Sequence, residues 1–188
     1  MKKVLLVIVV LTMVLGIFSG CTAKPAPDAT DKPAPDATDN VDVVTTASLV
    51  NEEAAFLNAI SKDGTWIICT LGDLTTDKDL VLEGEFYDKA DTTKDLYRKL
   101  ALYAQDADKN VTARYNLTAP KLTIKSPNAK IQGGTFKGDV YVEANGFTLQ
   151  DATVDGNIYY SSQEFKDSSV IETEEGKIGT VTGTVEVQ

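Results

Sequence analysis

The clearest pattern of hydrophobic and polar positions is an eight-residue motif, Thr-apolar-x-Gly-x-apolar-x-apolar. Copies of it begin at Thr135, Thr153 and Thr180, so the first two start 18 residues apart and the last two 27. Alternation of apolar residues with other positions is typical of strands, and repetition at this period is typical of stacked coils. The motif therefore predicts that each copy forms one coil of a single-stranded parallel β-helix.

Stacking the copies at about 4.8 Å would align equivalent apolar residues in ladders that point into a core. A glycine at the corner of each motif, where a side chain would crowd the turn, supports this arrangement. The nine additional residues before the third copy fit an excursion through residues 172–176. The predicted ladders are Phe136 with Val154 and Val181, Val140 with Ile158 and Val185, and Val142 with Tyr160 and Val187.

A helical pattern precedes these strands, and it predicts a helix over about residues 51–62. Asn51 is the expected N-cap, and Phe56, Leu57 and Ile60 fall on one face. The helix should end at Gly64, before an almost wholly apolar strand at residues 65–71. Such a helix would cover the N-terminal end of the stacked coils.

Beyond this strand the pattern predicts further short strands and no second helix. They lie at residues 80–87, 100–104, 111–117 and 122–124, separated by Gly, Asp, Asn and Pro. Residues 95–103 could alternatively be helical, although the alternation of Leu100 and Leu102 favours a strand. The chain is therefore predicted to be all-β, with an antiparallel β-sandwich as the alternative architecture.

The N-terminus carries a different pattern, which begins with Lys2 and Lys3 and then runs apolar from Val4 to Phe18. A basic start and a short apolar core are typical of a secretory signal peptide, here residues 1–20. The string from Ile17 to Cys21 resembles the lipobox of bacterial lipoproteins, although Phe18 stands where leucine is usual. The resemblance implies an acylated Cys21 and a position on the extracytoplasmic face of the cell membrane. A transmembrane anchor is the alternative.

A spacer should connect Cys21 to the folded domain. Within residues 21–41 the octet Lys-Pro-Ala-Pro-Asp-Ala-Thr-Asp occurs twice without change, and such a segment cannot bury apolar surface. The β-helix domain would then comprise residues 42–188, which is long enough to bury one core without cross-links.

A helix followed by an apolar strand and stacked coils resembles the start of right-handed parallel β-helices of the pectate-lyase type. The corners Gly138-Asp139-Val140 and Gly156-Asn157-Ile158 also resemble those of bactofilins, which are polymer-forming β-helices. From Asn51 onward the chain is similar to a group of uncharacterised lipoproteins of low-GC Gram-positive bacteria. These resemblances imply a right-handed helix and supply no activity.

Composition narrows the possible functions. The net charge of -10 becomes -12 once Lys2 and Lys3 are removed, and this acidity argues against nucleic acid as a partner. The chain contains no histidine, the commonest general base and transition-metal ligand. With Cys21 acylated, Cys69 has no partner for a disulfide and is expected to be an unreactive, buried residue.

Candidate chemistry is sparse, so we expect no enzyme and no cofactor. The two arginines, Arg98 and Arg114, lie in no recognisable lyase motif. Asp139, Asp151 and Asp155 are weak candidates for Ca²⁺ ligands, because acids at turns are more often simply solvated.

A stripe of tyrosines is the candidate binding site. Tyr87, Tyr141 and Tyr159 each stand three positions after a glycine, and by alternation they should point away from the core. Tyr87 belongs to the stripe only if Gly84 occupies the same corner as Gly138. An exposed aromatic stripe could hold a glycan chain or a protein.

Three functions are therefore open. The first is a membrane-anchored, non-catalytic module that binds a glycan or protein of the cell envelope. The second is a structural module that self-associates, for example as a dimer through the strand edge at Thr184 to Val187. The third is a small polysaccharide-active enzyme.

Overall fold

Parallel strands are the main secondary structure of the described residues. The structure is a computed structural model that describes residues 48–171 and 179–188. The predicted signal peptide, Cys21, the spacer at 21–41 and the excursion at 172–176 lie outside these residues. The strands, in chain order, are β1 (Ser48–Val50), β2 (Ile67–Thr70), β3 (Leu74–Thr75), β4 (Leu80–Leu82), β5 (Arg98–Ala101), β6 (Tyr103–Gln105), β7 (Val111–Arg114), β8 (Asn116–Ile124), β9 (Ala129–Gln132), β10 (Thr135–Val142), β11 (Thr148–Gln150), β12 (Thr153–Asp155), β13 (Ile158–Tyr160), β14 (Thr180–Val181) and β15 (Val185–Val187).

Five of these strands form a parallel sheet, which we call sheet I, in the order β1-β2-β5-β9-β11. Its register places Ile68, Leu100, Ile131 and Leu149 in one line across the sheet. All four side chains are fully buried, because register partners on neighbouring strands point to the same face of the sheet and this face lies against the core. Sheet I therefore contributes one wall of the hydrophobic core.

Sheet II contains eight strands and is centred on β10, which pairs in parallel with β8 on one side and with β12 and β13 on the other. β14 and β15 extend it beyond β12 and β13. The register confirms all three predicted ladders from β10 to the last strands. On the opposite side the ladders continue to earlier strands, through Leu117 and Leu74, Leu122 and Leu80, and Ile124 and Leu82.

The corner of sheet II requires glycine at two successive levels. Gly138 and Gly156 have φ angles of 139° and 158°, which side-chain-bearing residues rarely adopt. A Cβ at Gly138 would also overlap the carbonyl oxygen of Ala119, and one at Gly156 would overlap that of Gly138. The predicted crowding at this corner is therefore confirmed.

Helix α1 (Glu53–Ile60) contacts β1, β2 and β4, next to the first strands of both sheets. Phe56 and Ile60 are buried as predicted, and Leu57 is half-buried. The predicted N-cap is wrong, because Glu52 occupies that position and Asn51 is exposed before it. The first turn is held by Glu53 instead, which accepts a hydrogen bond from Thr76 and forms an ion pair with Lys78.

Other elements depart from the prediction. The short helix α2 (Gln163–Asp167) was not expected, and Ser162 caps it by accepting a hydrogen bond from the Phe165 N–H. Of the strand predicted at 80–87, only Leu80–Leu82 forms, and residues 88–90 make a 3₁₀ turn. The helical alternative at 95–103 is wrong, since β5 and β6 are strands. The antiparallel β-sandwich is wrong as well, since the strands within sheets I and II pair in parallel.

A buried arginine joins α1 to the sheets. Arg98 opens β5, is fully buried, and its guanidinium carbon lies 4.1 Å from the centroid of the Phe86 ring. Burial lowers the pKa of Arg98 to about 10. This value is still well above neutral pH, so the guanidinium remains charged there. Its donors go to the backbone carbonyls of Ala59, Ser61, Thr65 and Glu83 and to the Ser126 hydroxyl.

Within residues 48–171 and 179–188, no helix is long and apolar enough to cross a bilayer.

Candidate binding surfaces

Tyr141 and Tyr159 form the first candidate surface, which we call the tyrosine pair. They are register partners on β10 and β13, and alternation directs both side chains away from the core. Their ring centroids are 4.9 Å apart with an angle of 43° between the ring planes. The Lys121 ammonium lies 4.1 Å from the Tyr141 centroid, within the range of a cation–π contact.

The surface around the tyrosine pair is shallow. A depression of about 80 Å³ lies beside it, lined in part by Glu143, Ser161 and Gln188. Partial desolvation is the largest cause that raises the pKa of the Tyr159 hydroxyl, and the charge of Asp139 is the next largest. The hydroxyl therefore stays protonated and remains a hydrogen-bond donor at neutral pH. Half-exposed rings with polar tips can contact a flat ligand, such as a sugar ring or a protein surface.

Tyr87 does not belong to this surface, which corrects the predicted three-residue stripe. The register places Val81, not Tyr87, in line with Thr123 and Tyr141. Gly84 follows β4 and therefore does not occupy the corner of Gly138. Tyr87 lies in the loop of residues 83–97, where its backbone forms an antiparallel bridge with Leu96.

The same loop forms two clefts around Trp66. The first, which we call the tryptophan cleft, has a volume of about 620 Å³. The second, of about 520 Å³, includes Tyr87 and Phe86. Trp66 lines both, and its ring centroid lies 5.8 Å from that of Tyr97. The tryptophan cleft is lined by Trp66, Ile67, Asp88, Thr93, Lys94, Asp95, Leu96, Tyr97 and Lys99.

Trp66 itself is only 9% exposed. Its indole N–H is buried and has no hydrogen-bond partner in the part of the chain that the structure describes. A buried donor without a partner is uncommon in folded proteins, and this one belongs to the residue that lines both clefts.

Lysines of sheet I lie in and beside the tryptophan cleft. Lys99 of β5 and Lys130 of β9 are register partners on adjacent strands, and alternation points both outward. Burial lowers the pKa of Lys99, and the thiolate form of Cys69 would partly offset that effect. The Lys130 ammonium lies 5.6 Å from the Tyr97 centroid and donates to the Gln150 side chain at 2.8 Å. This surface combines aromatic rings with positive charge in an acidic protein.

Sequence reasoning missed this second surface. The spacing of Tyr97 and Lys99, one just before β5 and one within it, was a usable signal, but nothing in the pattern brings Trp66 or Lys130 beside them. Cys69 lies on the same sheet and is half-buried, and burial raises the pKa of its thiol despite the proximity of Lys99. An unreactive thiol is the expected consequence.

The three acids considered as calcium ligands are not brought together. Asp139 accepts two hydrogen bonds from Asn157, Asp151 forms an ion pair with Arg114 at 2.8 Å, and Asp155 accepts from Thr182. Among the described residues, no group of three His, Cys, Asp or Glu side chains is close enough to hold a metal ion. These carboxylates instead bond to neighbouring parts of the fold.

Comparison with protein-family models, with curated proteins and with solved structures finds no significant match for this chain.

Proposed function

We propose that the chain winds as a right-handed single-stranded parallel β-helix, with α1 at its N-terminal end. From β2 to β13, apart from β6 and β7, the chain passes back and forth between sheet I and sheet II, and each of these strands from β5 onward pairs in parallel with a strand one turn earlier. The β6–β7 hairpin is then an insertion within one turn. This winding accounts for the 18-residue spacing of the first two motif copies, which are register partners.

The domain is attached to the outer face of the cell membrane through an acylated Cys21. The support is the lipobox-like string before Cys21 and the resemblance to lipoproteins of low-GC Gram-positive bacteria. Metabolic labelling with palmitate tests the anchor. Label should enter the wild-type chain and be absent from a Cys21→Ser variant.

Its function is to bind a component of the cell envelope without catalysis, and a glycan chain is the favoured ligand. The observation that carries this proposal is the tyrosine pair, two aromatic rings stacked on neighbouring strands of an outward face. Ring faces of sugars pack on aromatic side chains through their apolar C–H groups, and the nearby lysine adds a hydrogen-bond donor. A protein partner is the alternative ligand for the same surface.

Co-sedimentation of the full chain, held in mild detergent, with purified cell-wall material tests the proposal. The wild type should pellet, whereas a double variant, Tyr141→Ala with Tyr159→Ala, should stay in solution. Tyr115→Ala is the matched control, since Tyr115 is a half-buried tyrosine outside the pair. Equal pelleting of wild type and double variant would contradict glycan binding by the pair. Release of new reducing ends would contradict the absence of catalysis.

Self-association through the C-terminal edge is the second candidate function, because one observation favours it. β15 pairs with β13, no other described strand pairs with it, and Val187 is 38% exposed. An unpaired edge can accept a strand from a second copy. Sedimentation velocity of the full chain should then show a dimer that a Val187→Lys variant does not form, while α1 disfavours growth at the other end.

A further inference from the structure

We propose that the tryptophan cleft is a second binding site, which takes a sugar unit carrying a negative charge, either a carboxylate or a phosphate. The choice of a sugar rests on the proposed envelope function. The preference for an anion rests on the cleft itself, whose residues are distinct from the tyrosine pair.

The size of the cleft is that of a small-molecule site, and aromatic and charged residues line it. Its volume of about 620 Å³ lies within the range of about 300–1,000 Å³ found for ligand pockets. Tyr97, which is half-buried, provides aromatic surface, and its ring centroid lies 5.8 Å from that of Trp66, with the rings tilted by 53°. The Tyr97 ring offers contact to the apolar face of a sugar, while Trp66, at 9% exposure, packs beside it.

Two lysines at this surface favour an anionic substituent. Lys99 and Lys130 are register partners on adjacent parallel strands. No carboxylate of the described chain lies within 4 Å of the Lys99 ammonium. The Lys99 ammonium lies 5.9 Å from the Tyr103 centroid and the Lys130 ammonium 5.6 Å from the Tyr97 centroid. An anion in the cleft would gain an attractive contact with Lys99, which lines it.

The acidic residues of the cleft do not cancel this preference. Asp88 forms an ion pair with Lys94 at 3.1 Å, and Asp95 is exposed. Counted over the lining, Lys94 and Lys99 balance Asp88 and Asp95, whereas the chain as a whole carries a net charge of -10. The cleft is therefore less acidic than the protein as a whole, and partial burial strengthens contacts between Lys99 and an anion.

Trp66 is the only tryptophan of the chain, so its fluorescence reports directly on the cleft. We would titrate the full chain, in detergent, with glucose, glucuronate, glucose 6-phosphate and inorganic phosphate. The first three differ only at carbon 6, so the series separates the sugar from the two possible sources of charge. We expect glucuronate, glucose 6-phosphate or both to bind at least about 10-fold more tightly than glucose, and inorganic phosphate to bind more weakly than the charged sugar.

Lys99→Gln and Lys130→Gln should each reduce the advantage of the charged sugar by about fivefold or more. Lys121→Gln is the matched control, because Lys121 also lies over a tyrosine but on sheet II. Tyr97→Ala should weaken binding of all three sugars. Raising the NaCl concentration should weaken the charged sugar and leave glucose unchanged, which tests the charge contribution without any substitution.

Several results would overturn the proposal. Glucose binding as tightly as both charged sugars would exclude an anion site, and equal effects of Lys121→Gln and Lys99→Gln would exclude this location. Inorganic phosphate binding as tightly as glucose 6-phosphate would exclude a sugar site. Co-sedimentation of the Lys99→Gln variant with cell-wall material keeps the two proposals distinguishable. Pelleting tests the tyrosine pair, whereas the sugar titration tests the cleft, so the failure of one assay does not decide the other.

Discussion

Replacing Arg98 should destabilise the fold more than any change at the other arginine. Arg98→Met keeps most of the side-chain volume and removes every donor of the guanidinium. Four backbone carbonyls then lose a partner, and those of Ala59 and Thr65 belong to buried residues. The carbonyls of Ser61 and Glu83 belong to half-buried residues and can regain water.

The magnitude follows from the two bonds that Arg98 makes to carbonyls of buried residues. A hydrogen bond to a charged group contributes about 1.5–3 kcal/mol, so losing two of them costs about 3–6 kcal/mol. The Ala59 carbonyl keeps its bond from the Thr65 N–H, which limits the loss. Relief from burying a charge offsets part of this cost. We therefore expect a loss of about 3 kcal/mol, a large fraction of the roughly 5–15 kcal/mol that stabilises a typical domain. Arg98→Lys should recover little, because a single ammonium cannot reproduce the planar guanidinium fork.

Urea unfolding monitored by Trp66 fluorescence and by circular dichroism would measure the loss. Arg114→Met is the matched control, since the Arg114 side chain is 47% exposed and its ion pair with Asp151 should contribute less than about 1 kcal/mol. An Arg98→Met variant within about 0.5 kcal/mol of wild type would refute the reasoning. Equal losses for Arg98→Met and Arg114→Met would refute it too.

Three further predictions test the core, the corner and the first helix. Phe136→Ala should cost about 3–5 kcal/mol in urea unfolding, because the ring is fully buried in a ladder of sheet II. Gly138→Ala should cost at least about 1–3 kcal/mol in the same assay, since it combines a strained φ with overlap onto the Ala119 carbonyl. The hydrogen bond from Thr76, and after it Lys78, lower the pKa of Glu53. The stability that this group contributes should therefore be present above about pH 4.5 and be lost as the pH falls below that value. Thr76→Val should make the fall in unfolding free energy between about pH 5 and 3 shallower.

Each of these has its own control. Leu71→Ala should be nearly neutral, because Leu71 is 52% exposed, and a loss equal to that of Phe136→Ala would contradict the assigned core. Gly72→Ala should be tolerated, because an added Cβ meets nothing within 4 Å, so comparable losses at Gly72 and Gly138 would contradict the corner. An unchanged acid slope in Thr76→Val would show that Glu53 does not contribute to it.

The later strands could be predicted because their pattern is local. Each motif copy contains its own alternation and its own corner glycine, so aligning the copies also aligns their ladders. Leu117 and Leu122 continue the same ladders on β8. They escaped recognition because Ala119 and Pro120 stand where later copies have glycine. Without that marker, alternation identifies a strand but does not identify its partner.

The error at Tyr87 has the same origin. Tyr87 belongs to the predicted stripe only on the condition that Gly84 is a corner, and the sequence supports that condition only by placing Gly84 three residues before a tyrosine, as it does Gly138 and Gly156. In the structure Gly84 begins the loop of residues 83–97, and its φ of 106° serves that loop. A glycine marks a backbone conformation, and the conformation can belong to different kinds of turn.

The sequence by itself therefore determined the strand-rich fold class, the first helix, the ladders from β10 onward and the stacking of Tyr141 on Tyr159. These follow from short-range periodicity, which is repeated in each copy of the motif. Only the tertiary structure decided that Trp66 meets Tyr97, that Lys99 lies beside Lys130, and that Arg98 bonds to carbonyls 33 to 39 residues earlier. Those contacts depend on which strands become neighbours and on how the intervening loop folds, and no short-range pattern encodes either.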